Sequence, residues 1–185
     1  MKRILIALAV ALASWSAHAE QKLIASQSEL SFVSKQMGVP VQGKFRKFDA
    51  QVSFDPKKPE AARIAFTVDL ASATLGNAET EHELNKATWF DTAKFPQATF
   101  KSTSIKPLGG DRFEVAGKLS IKGNMRDIRL PVTLARQGDL LRASVEFNLN
   151  RADFKIGDGE WNDPGLVAYE VTVKLRLAMQ GSADG

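Results

Sequence analysis

Residues 167–179 read VAYEVTVKLRLAM, and apolar or aromatic side chains occupy every odd-numbered position of this stretch. Alternation with a period of two places all of these side chains on one face of a β-strand. Seven further stretches show the same alternation, at residues 30–34, 48–54, 64–70, 98–107, 113–121, 128–134 and 143–149. The sequence therefore predicts eight strands, each with one apolar face.

Eight such strands joined by short turns predict an antiparallel sheet that is apolar on one face only. That face has to be covered, either by closing the sheet into a barrel or by packing a second sheet on it. Most of the predicted strands exceed the usual length of about 5–6 residues, which favours a barrel over a sandwich of short strands. We therefore predict an all-β fold, an eight-stranded antiparallel barrel.

One short helix is predicted in the long connection between Leu70 and Pro96. The residues from Thr80 to Glu83 fit a capping box with Thr80 as the N-cap. The same connection contains Trp89 and Phe90, and we expect it to close one mouth of the barrel. A second irregular connection, residues 157–165 (GDGEWNDPG), is expected to cover another opening.

The first residues of the chain predict export. Lys2 and Arg3 precede an uncharged apolar run at residues 4–13, and residues 17–19 (AHA) fit the small-x-small pattern of a cleavage site. The run is shorter than the roughly 20 residues that a membrane-spanning helix needs. We therefore predict that residues 1–19 are a cleaved signal peptide, that residues 20–185 form a single domain, and that the protein is periplasmic; an uncleaved anchor is the alternative.

Composition argues against several classes of function. The formal charge of +4 falls to +2 without the predicted signal peptide, so no nucleic-acid partner is expected. The chain contains no cysteine, which excludes disulfides and thiolate chemistry. After removal of the leader His82 is the single histidine, and no G-x-S-x-G elbow accompanies it. We predict no catalytic residues and no enzymatic activity.

Three stretches resemble known site motifs but lack essential positions. Residues 38–44 read G-x-x-x-x-G-K, yet Phe45 replaces the magnesium-binding hydroxyl and a strand is predicted to follow. Residues 158–162 alternate like a calcium loop, but neither its central glycine nor its final glutamate is present. Glu79 and His82 form a single Glu-x-x-His step, whereas metal sites of that kind need two. No metal site is predicted.

The predicted inner face mixes large and small side chains. Phenylalanines such as Phe113 share this face with the smaller residues Ala50, Gly117 and Ala143. An eight-stranded barrel is either filled by its own side chains or just wide enough for one small ligand. The small residues could leave a tunnel or could accommodate the neighbouring phenylalanines, and the sequence leaves both interpretations open.

The chain resembles the YceI-like family of bacterial polyisoprenoid-binding, lipocalin-like periplasmic proteins. The resemblance covers about residues 28–178 and depends on the order and spacing of many short stretches. These are residues 28–32 (SELSF), 38–45 (GVPVQGKF), 54–56 (FDP), 75–77 (LGN), 89–91 (WFD), 95–100 (FPQATF), 117–123 (GKLSIKG), 150–154 (NRADF) and 159–161 (GEW).

The resemblance implies an extended lipocalin-like barrel that holds an isoprenoid tail, with frequent homodimers and no cofactor other than this bound lipid. A carrier of such a ligand is also expected to contact a membrane or a membrane protein transiently. On this hypothesis, the tail site is lined by Phe32, Phe54, Phe66, Phe113, Phe147 and Val171. The barrel mouths are gated by Trp89, Phe90 and Trp161.

Two other functions remain open at this point. One is a stress or interaction protein whose barrel is filled. The other is an enzyme that uses carboxylates at a barrel mouth, with Glu79, Glu83, Asp158 and Glu160 as the candidates.

Overall fold

A computed structural model describes residues 20–55 and 57–181 of the 185-residue chain. The predicted signal peptide, residues 1–19, lies outside the described residues. The strands are β1 (Glu20–Leu23), β2 (Glu29–Gln36), β3 (Val39–Phe45), β4 (Phe48–Ser53), β5 (Arg63–Asp69), β6 (Ala73–Thr74), β7 (Gln97–Gly109), β8 (Arg112–Ile121), β9 (Asn124–Gln137), β10 (Leu140–Asn150) and β11 (Glu170–Gln180). The α-helix is α1 (Ala78–Leu84), and 3-10 helices lie at Ala25–Gln27, Pro59–Ala61, Leu70–Ser72, Arg151–Phe154 and Gly159–Trp161.

The strands form one antiparallel sheet that closes on itself. The ring runs β1, β4, β5, β7, β8, β9, β10 and β11, and it closes where β11 pairs with β1. At this closure Lys22 is paired with Gln180, while on the other side of β1 Gln21 is paired with Val52. The predicted eight-stranded antiparallel barrel is confirmed.

Two of the eight positions in the ring are each occupied by two consecutive strands: β1 and β2 share one, and β3 and β4 share the next. β2 continues along β11 beyond β1, β3 pairs with β2, and β6 adds two residues to the outer edge of β3. β1, β3 and β6 were not among the predicted strands. β1 and β6 are too short to show periodicity, and β3 contains Pro40 and Gly43, two residue types that are depleted in strands.

Some predicted boundaries are wrong. The last strand begins at Glu170, whereas Val167 makes only an isolated bridge to Gln36. The predicted helix exists, but its N-cap is Asn77, because the Asn77 side chain accepts hydrogen bonds from the backbone N–H groups of Glu79 and Thr80. Thr80 therefore lies inside the helix. Asparagine, aspartate and serine are the most favoured N-cap residues, and threonine is less favoured.

The core divides into two regions along the barrel. The first, here called the strand-built region, is made of side chains from the strands and from Ala62: Ala50, Val52, Ala62, Phe100, Ile105, Phe113, Val115, Leu130, Val132, Leu141, Ala143, Val145, Leu177 and Met179. The second, here called the loop-covered region, adds side chains from the connections around α1 and after β10: Leu30, Val68, Leu70, Ala73, Trp89, Phe90, Ala98, Ile121, Phe154, Ile156 and Val167.

Two glycines of the sheet make room for phenylalanine rings. A Cβ atom at Gly117 would lie 2.4 Å from Cζ of Phe100, and one at Gly43 would lie 2.3 Å from Cζ of Phe32. Real Cβ atoms do not approach other atoms this closely, so a larger residue at Gly43 requires the Phe32 ring to move, whereas at Gly117 it also meets the backbone oxygen of Lys101 at 2.5 Å. Gly117 thus accommodates a neighbouring aromatic ring, the second of the two roles considered for small residues.

Candidate functional site

A cavity of about 550 Å³ lies inside the barrel. Its lining reaches both core regions, since Leu141 and Met179 line it as well as Trp161 and Val167. On β10, every second residue from Leu141 to Leu149 faces it. At about 3.4 Å per residue this stretch measures roughly 27 Å along the strand. The cavity is therefore elongated, and its volume falls in the usual range for ligand sites of about 300–1,000 Å³.

All six residues that were predicted to line a tail site do line this cavity. Phe32, Phe54, Phe66, Phe147 and Val171 are only partly buried although they point inward, and Phe113 is buried. Because these side chains surround a cavity of about 550 Å³, the barrel is not filled from end to end by its own side chains.

The residues predicted for the mouths, Trp89, Phe90 and Trp161, lie together at the loop-covered end of the cavity. Trp89 and Phe90 are each 9% exposed, and Trp161 is partly exposed. The two indole rings form a tilted pair with centroids 5.6 Å apart. The segment after α1 and the 3-10 helix at Gly159–Trp161 thus meet over the cavity.

Both indole nitrogens of this pair are buried without a hydrogen-bond partner. Nε1 of Trp89 and Nε1 of Trp161 are the buried side-chain polar atoms, among the residues that the structure describes, that have no partner. A buried tryptophan N–H usually finds an acceptor, and a donor without one costs free energy. The rest of the cavity lining is mostly apolar.

Arg151, at the end of β10, is the residue of the site that the sequence analysis missed. It is 2% exposed, it lines the cavity, and all five N–H donors of its guanidinium are used by main-chain carbonyls. Nε donates to Ala168 at 3.1 Å, Nη1 to Ile156 and Gly157 at 2.8 Å each, and Nη2 to Trp161 at 2.7 Å and Val167 at 2.6 Å. One side chain therefore holds the whole connection from β10 to β11.

The charge of Arg151 has no acidic partner. No carboxylate among residues 20–55 and 57–181 lies within ion-pair distance of it. Its guanidinium carbon lies 5.9 Å from the ring centre of Trp89 and 5.2 Å from that of Tyr169. Burial lowers the pKa of Arg151, and the electrostatic interaction with Tyr169 opposes this change. An arginine nevertheless stays protonated in proteins, so Arg151 places a buried positive charge at the loop-covered end.

Helix α1 forms part of the rim of the cavity. Glu79, Thr80 and Glu83 line the cavity, and Glu79 is exposed, so the cavity reaches the surface beside this helix. The helix is held to the sheet by Glu81, which accepts a hydrogen bond from the buried hydroxyl of Thr74. That bond, assisted by the charge of Arg46, lowers the pKa of Glu81 against a smaller opposing effect of burial.

The structure does not gather the four candidate catalytic carboxylates at one place in the cavity. Glu79 and Glu83 line it, whereas Asp158 and Glu160 are exposed and do not. In the described part of the chain, no group of three or more His, Cys, Asp or Glu side chains is arranged to hold a metal ion. None of the helices in that part is long and apolar enough to cross a membrane.

A closed eight-stranded antiparallel barrel around an elongated apolar cavity is the architecture of lipocalin-like barrels. The sequence model of the YceI-like domain matches residues 22–179, and the chain belongs to the YceI family. It is 38% identical over 97 residues to Protein YceI of Escherichia coli O157:H7, a match that covers 52% of this chain and spans only half of the length of that relative.

Two solved structures share the fold. The crystal structure of Burkholderia cenocepacia BcnA superposes with a TM-score of 0.82 at 41% sequence identity, over 84% of this chain and 98% of BcnA. A polyisoprenoid binding domain from Saccharophagus degradans, implicated in plant cell wall breakdown, superposes with a TM-score of 0.70 over 88% of this chain and 98% of that domain. Its sequence identity is 18%, so that likeness concerns the fold alone.

Proposed function

We propose that this protein binds one long apolar lipid inside its barrel, a polyisoprenoid, an isoprenoid quinone or a similar chain, and catalyses no reaction on it. The observation that carries the proposal is the elongated cavity of about 550 Å³ lined by apolar side chains from most strands of the barrel. The name of the Saccharophagus degradans domain, a polyisoprenoid binding domain, supports the same class of ligand.

The shape of the cavity suits a chain better than a compact molecule. Its lining residues follow one face of β10 over roughly 27 Å of strand, so the volume of about 550 Å³ is drawn out along the barrel rather than compact. Burial of each methylene contributes about 0.8 kcal/mol. A tail of about ten carbons therefore offsets the several kcal/mol that immobilising a ligand costs.

A periplasmic carrier accounts for the remaining features. The predicted signal peptide supports export, and a ligand this apolar needs a protein to cross an aqueous compartment. Loading and delivery then require transient contact with a membrane or with a membrane protein. We include a homodimer in the proposal only because the resemblance to the family implies one.

The direct test is to identify the ligand. The protein purified from the compartment to which it is exported is extracted with organic solvent, and the extract is analysed by mass spectrometry. We expect one lipid per chain, or uptake of added ubiquinone by the extracted protein. If the extract contains no stoichiometric lipid and the protein takes up no ubiquinone, the proposal is wrong.

A pair of neighbouring variants tests where the lipid lies. Ala143 is buried and faces the cavity midway along β10, whereas the next residue, Ser144, is exposed on the outer face. Ala143→Phe adds a ring inside the cavity and should lower ubiquinone uptake at least about tenfold, the equivalent of 1.4 kcal/mol. Ser144→Phe adds the same ring outside and should leave uptake unchanged. Equal uptake by both variants would place the lipid elsewhere.

A further inference from the structure

The turn between β2 and β3 carries an exposed apolar patch. Met37 is 76% exposed, Val39 is exposed as well, and residues 36–42 (QMGVPVQ) contain no charged side chain. The exposed Leu166 adjoins them, because its carbonyl accepts a hydrogen bond from the backbone N–H of Met37 at 2.9 Å. Single exposed apolar side chains are ordinary, but these three lie on adjoining segments. We call Met37, Val39 and Leu166 the tip patch.

The backbone at Met37 does not suit a methionine. Gln36 is paired with Val39, so Met37 and Gly38 form a two-residue turn, and their φ angles are 47° and 80°. A hairpin turn with positive φ at both residues favours asparagine followed by glycine. A methionine is conformationally less favourable there, and at its exposure it buries little apolar area. The fold of the free protein therefore gains little from this side chain, whereas a partner that buries it would.

The tip patch lies beside the opening of the cavity. Gln36 of β2 lines the cavity, and so does the exposed Glu79 at the rim on α1. Residues that are paired across two strands lie on the same face of the sheet. Val41 is paired with Ser34, and Val39 with Gln36, so both valines continue the inner face of the barrel outward to the turn. The apolar inner face of β3 thus connects the cavity with the tip patch.

A lipid surface fits this patch better than a second copy of the chain. Three side chains fall far short of the roughly 800 Å² that each partner buries in a stable protein interface. The exposed charges on the adjoining segments have both signs: Lys35 and Lys44 flank the turn, Glu79 lies on α1, and Asp163 precedes Leu166. Zwitterionic phospholipid head groups also carry both signs, whereas an anionic surface would repel the two carboxylates.

We propose that the tip patch inserts into the head-group region of a zwitterionic phospholipid bilayer, so that the opening of the cavity faces the membrane while lipid enters or leaves. Apolar side chains bind at this depth through the apolar area that they bury. A patch of three such side chains gives weak and reversible contact, which a carrier needs in order to leave the membrane again. This inference rests on the proposed binding of an apolar chain, and it assigns the surface through which that ligand is exchanged.

Met37→Asn tests the proposal with little risk to the fold, because asparagine followed by glycine is the sequence that this turn favours. Co-sedimentation measures binding to phosphatidylcholine vesicles. Uptake of ubiquinone from these vesicles is followed by quenching of tryptophan fluorescence, since Trp89 and Trp161 line the cavity. We expect vesicle binding and the rate of uptake to fall about tenfold, the effect of withdrawing one methionine side chain from an apolar environment. The midpoint of urea unfolding should stay the same or rise.

Leu108→Asn is the matched control. Leu108 is also exposed, but it follows Pro107, which is paired with Phe113 of the strand-built region at the other end of the barrel. This variant should keep the vesicle binding and the uptake rate of the wild type. The proposal is wrong if the wild type does not bind the vesicles, or if Met37→Asn and Leu108→Asn bind them equally well.

A measurement without vesicles separates this proposal from lipid binding itself. When ubiquinone is added from a dilute ethanol solution, Met37→Asn should bind it with wild-type affinity, because Met37 does not line the cavity. If neither protein binds ubiquinone, the proposed binding of this lipid is wrong, and the co-sedimentation still decides on the tip patch. If both proteins bind it and also take it up from vesicles at the same rate, only the role of the tip patch is wrong.

Discussion

The strand-built region and the loop-covered region of the barrel enclose the same cavity but are held together by different forces. In the first, apolar side chains from neighbouring strands pack against each other, and stability comes from buried apolar area. In the second, a buried arginine organises a connection of irregular backbone through main-chain carbonyls. The comparison shows that the strands define the shape of the cavity and the connections supply its chemistry.

The largest effect should come from the arginine of the loop-covered region. Arg151→Met removes five hydrogen bonds and leaves their carbonyls buried, so we expect a loss of about 3–5 kcal/mol in the free energy of unfolding. Urea denaturation measures it. Arg142→Met on β10 is the matched control and should cost less than about 1 kcal/mol, since the Arg142 side chain donates to the side chains of Gln27 and Gln137 at the surface. Similar losses in both variants would contradict the role given to Arg151.

An intermediate effect is expected in the strand-built region. Gly117→Ala places a methyl group against the ring of Phe100 and 2.5 Å from the carbonyl oxygen of Lys101, so the unfolding free energy should fall by about 1–3 kcal/mol. Adding Phe100→Leu should restore only part of the loss, because the backbone contact remains. A cost close to zero for Gly117→Ala, measured by the same denaturation, would mean that the sheet adjusts more easily than its packing suggests.

The smallest effect concerns the attachment of α1, and it depends on pH. The pKa of Glu81 is lowered from 4.5 in the folded protein, so its contribution to stability is present above that value and is lost as the pH falls through the folded pKa. Glu81→Gln should reduce the hydrogen-exchange protection of α1 at neutral pH, and the difference from wild type should shrink in acid.

Glu83→Gln is the control for this measurement. Glu83 lies on the same helix but pairs with the exposed Lys86 rather than with the sheet. Its variant should therefore keep the protection of α1 at neutral pH. Loss of protection in both variants would mean that the Thr74 contact does not hold the helix in place.

Period-two alternation predicted the strand-built region well, because each of its strands presents one face to the core and the other to solvent. The strands that were missed are those in which this signal is absent: β1 and β6 are short, and β3 is interrupted by Pro40 and Gly43. The count of eight was nevertheless right, since β1 and β2 share one position of the ring, as do β3 and β4.

The chemistry of the loop-covered region was less accessible from the sequence. Trp89, Phe90 and Trp161 were placed at the mouths because they lie in the two irregular connections, which were expected to cover different openings. That these connections meet at one end, and that the two indole nitrogens lack partners, depends on tertiary packing. Arg151 was missed, although a signal existed: it continues the inward-facing series of odd residues that runs through Phe147 and Leu149. A charged residue at an inward-facing position indicates that the connection after the strand folds around its side chain.

The seam of the barrel has a practical consequence. β1 and β11 lie side by side, with Leu23 paired to Met179 in the strand-built region, and the side chain of Gln21 ties β1 to the backbone of Phe54. A label or surface tether joined to the chain beyond either strand would therefore leave from nearly the same spot, remote from the rim at α1. Protein immobilised in this way would keep its opening free, so that ligand exchange could be followed on a sensor chip.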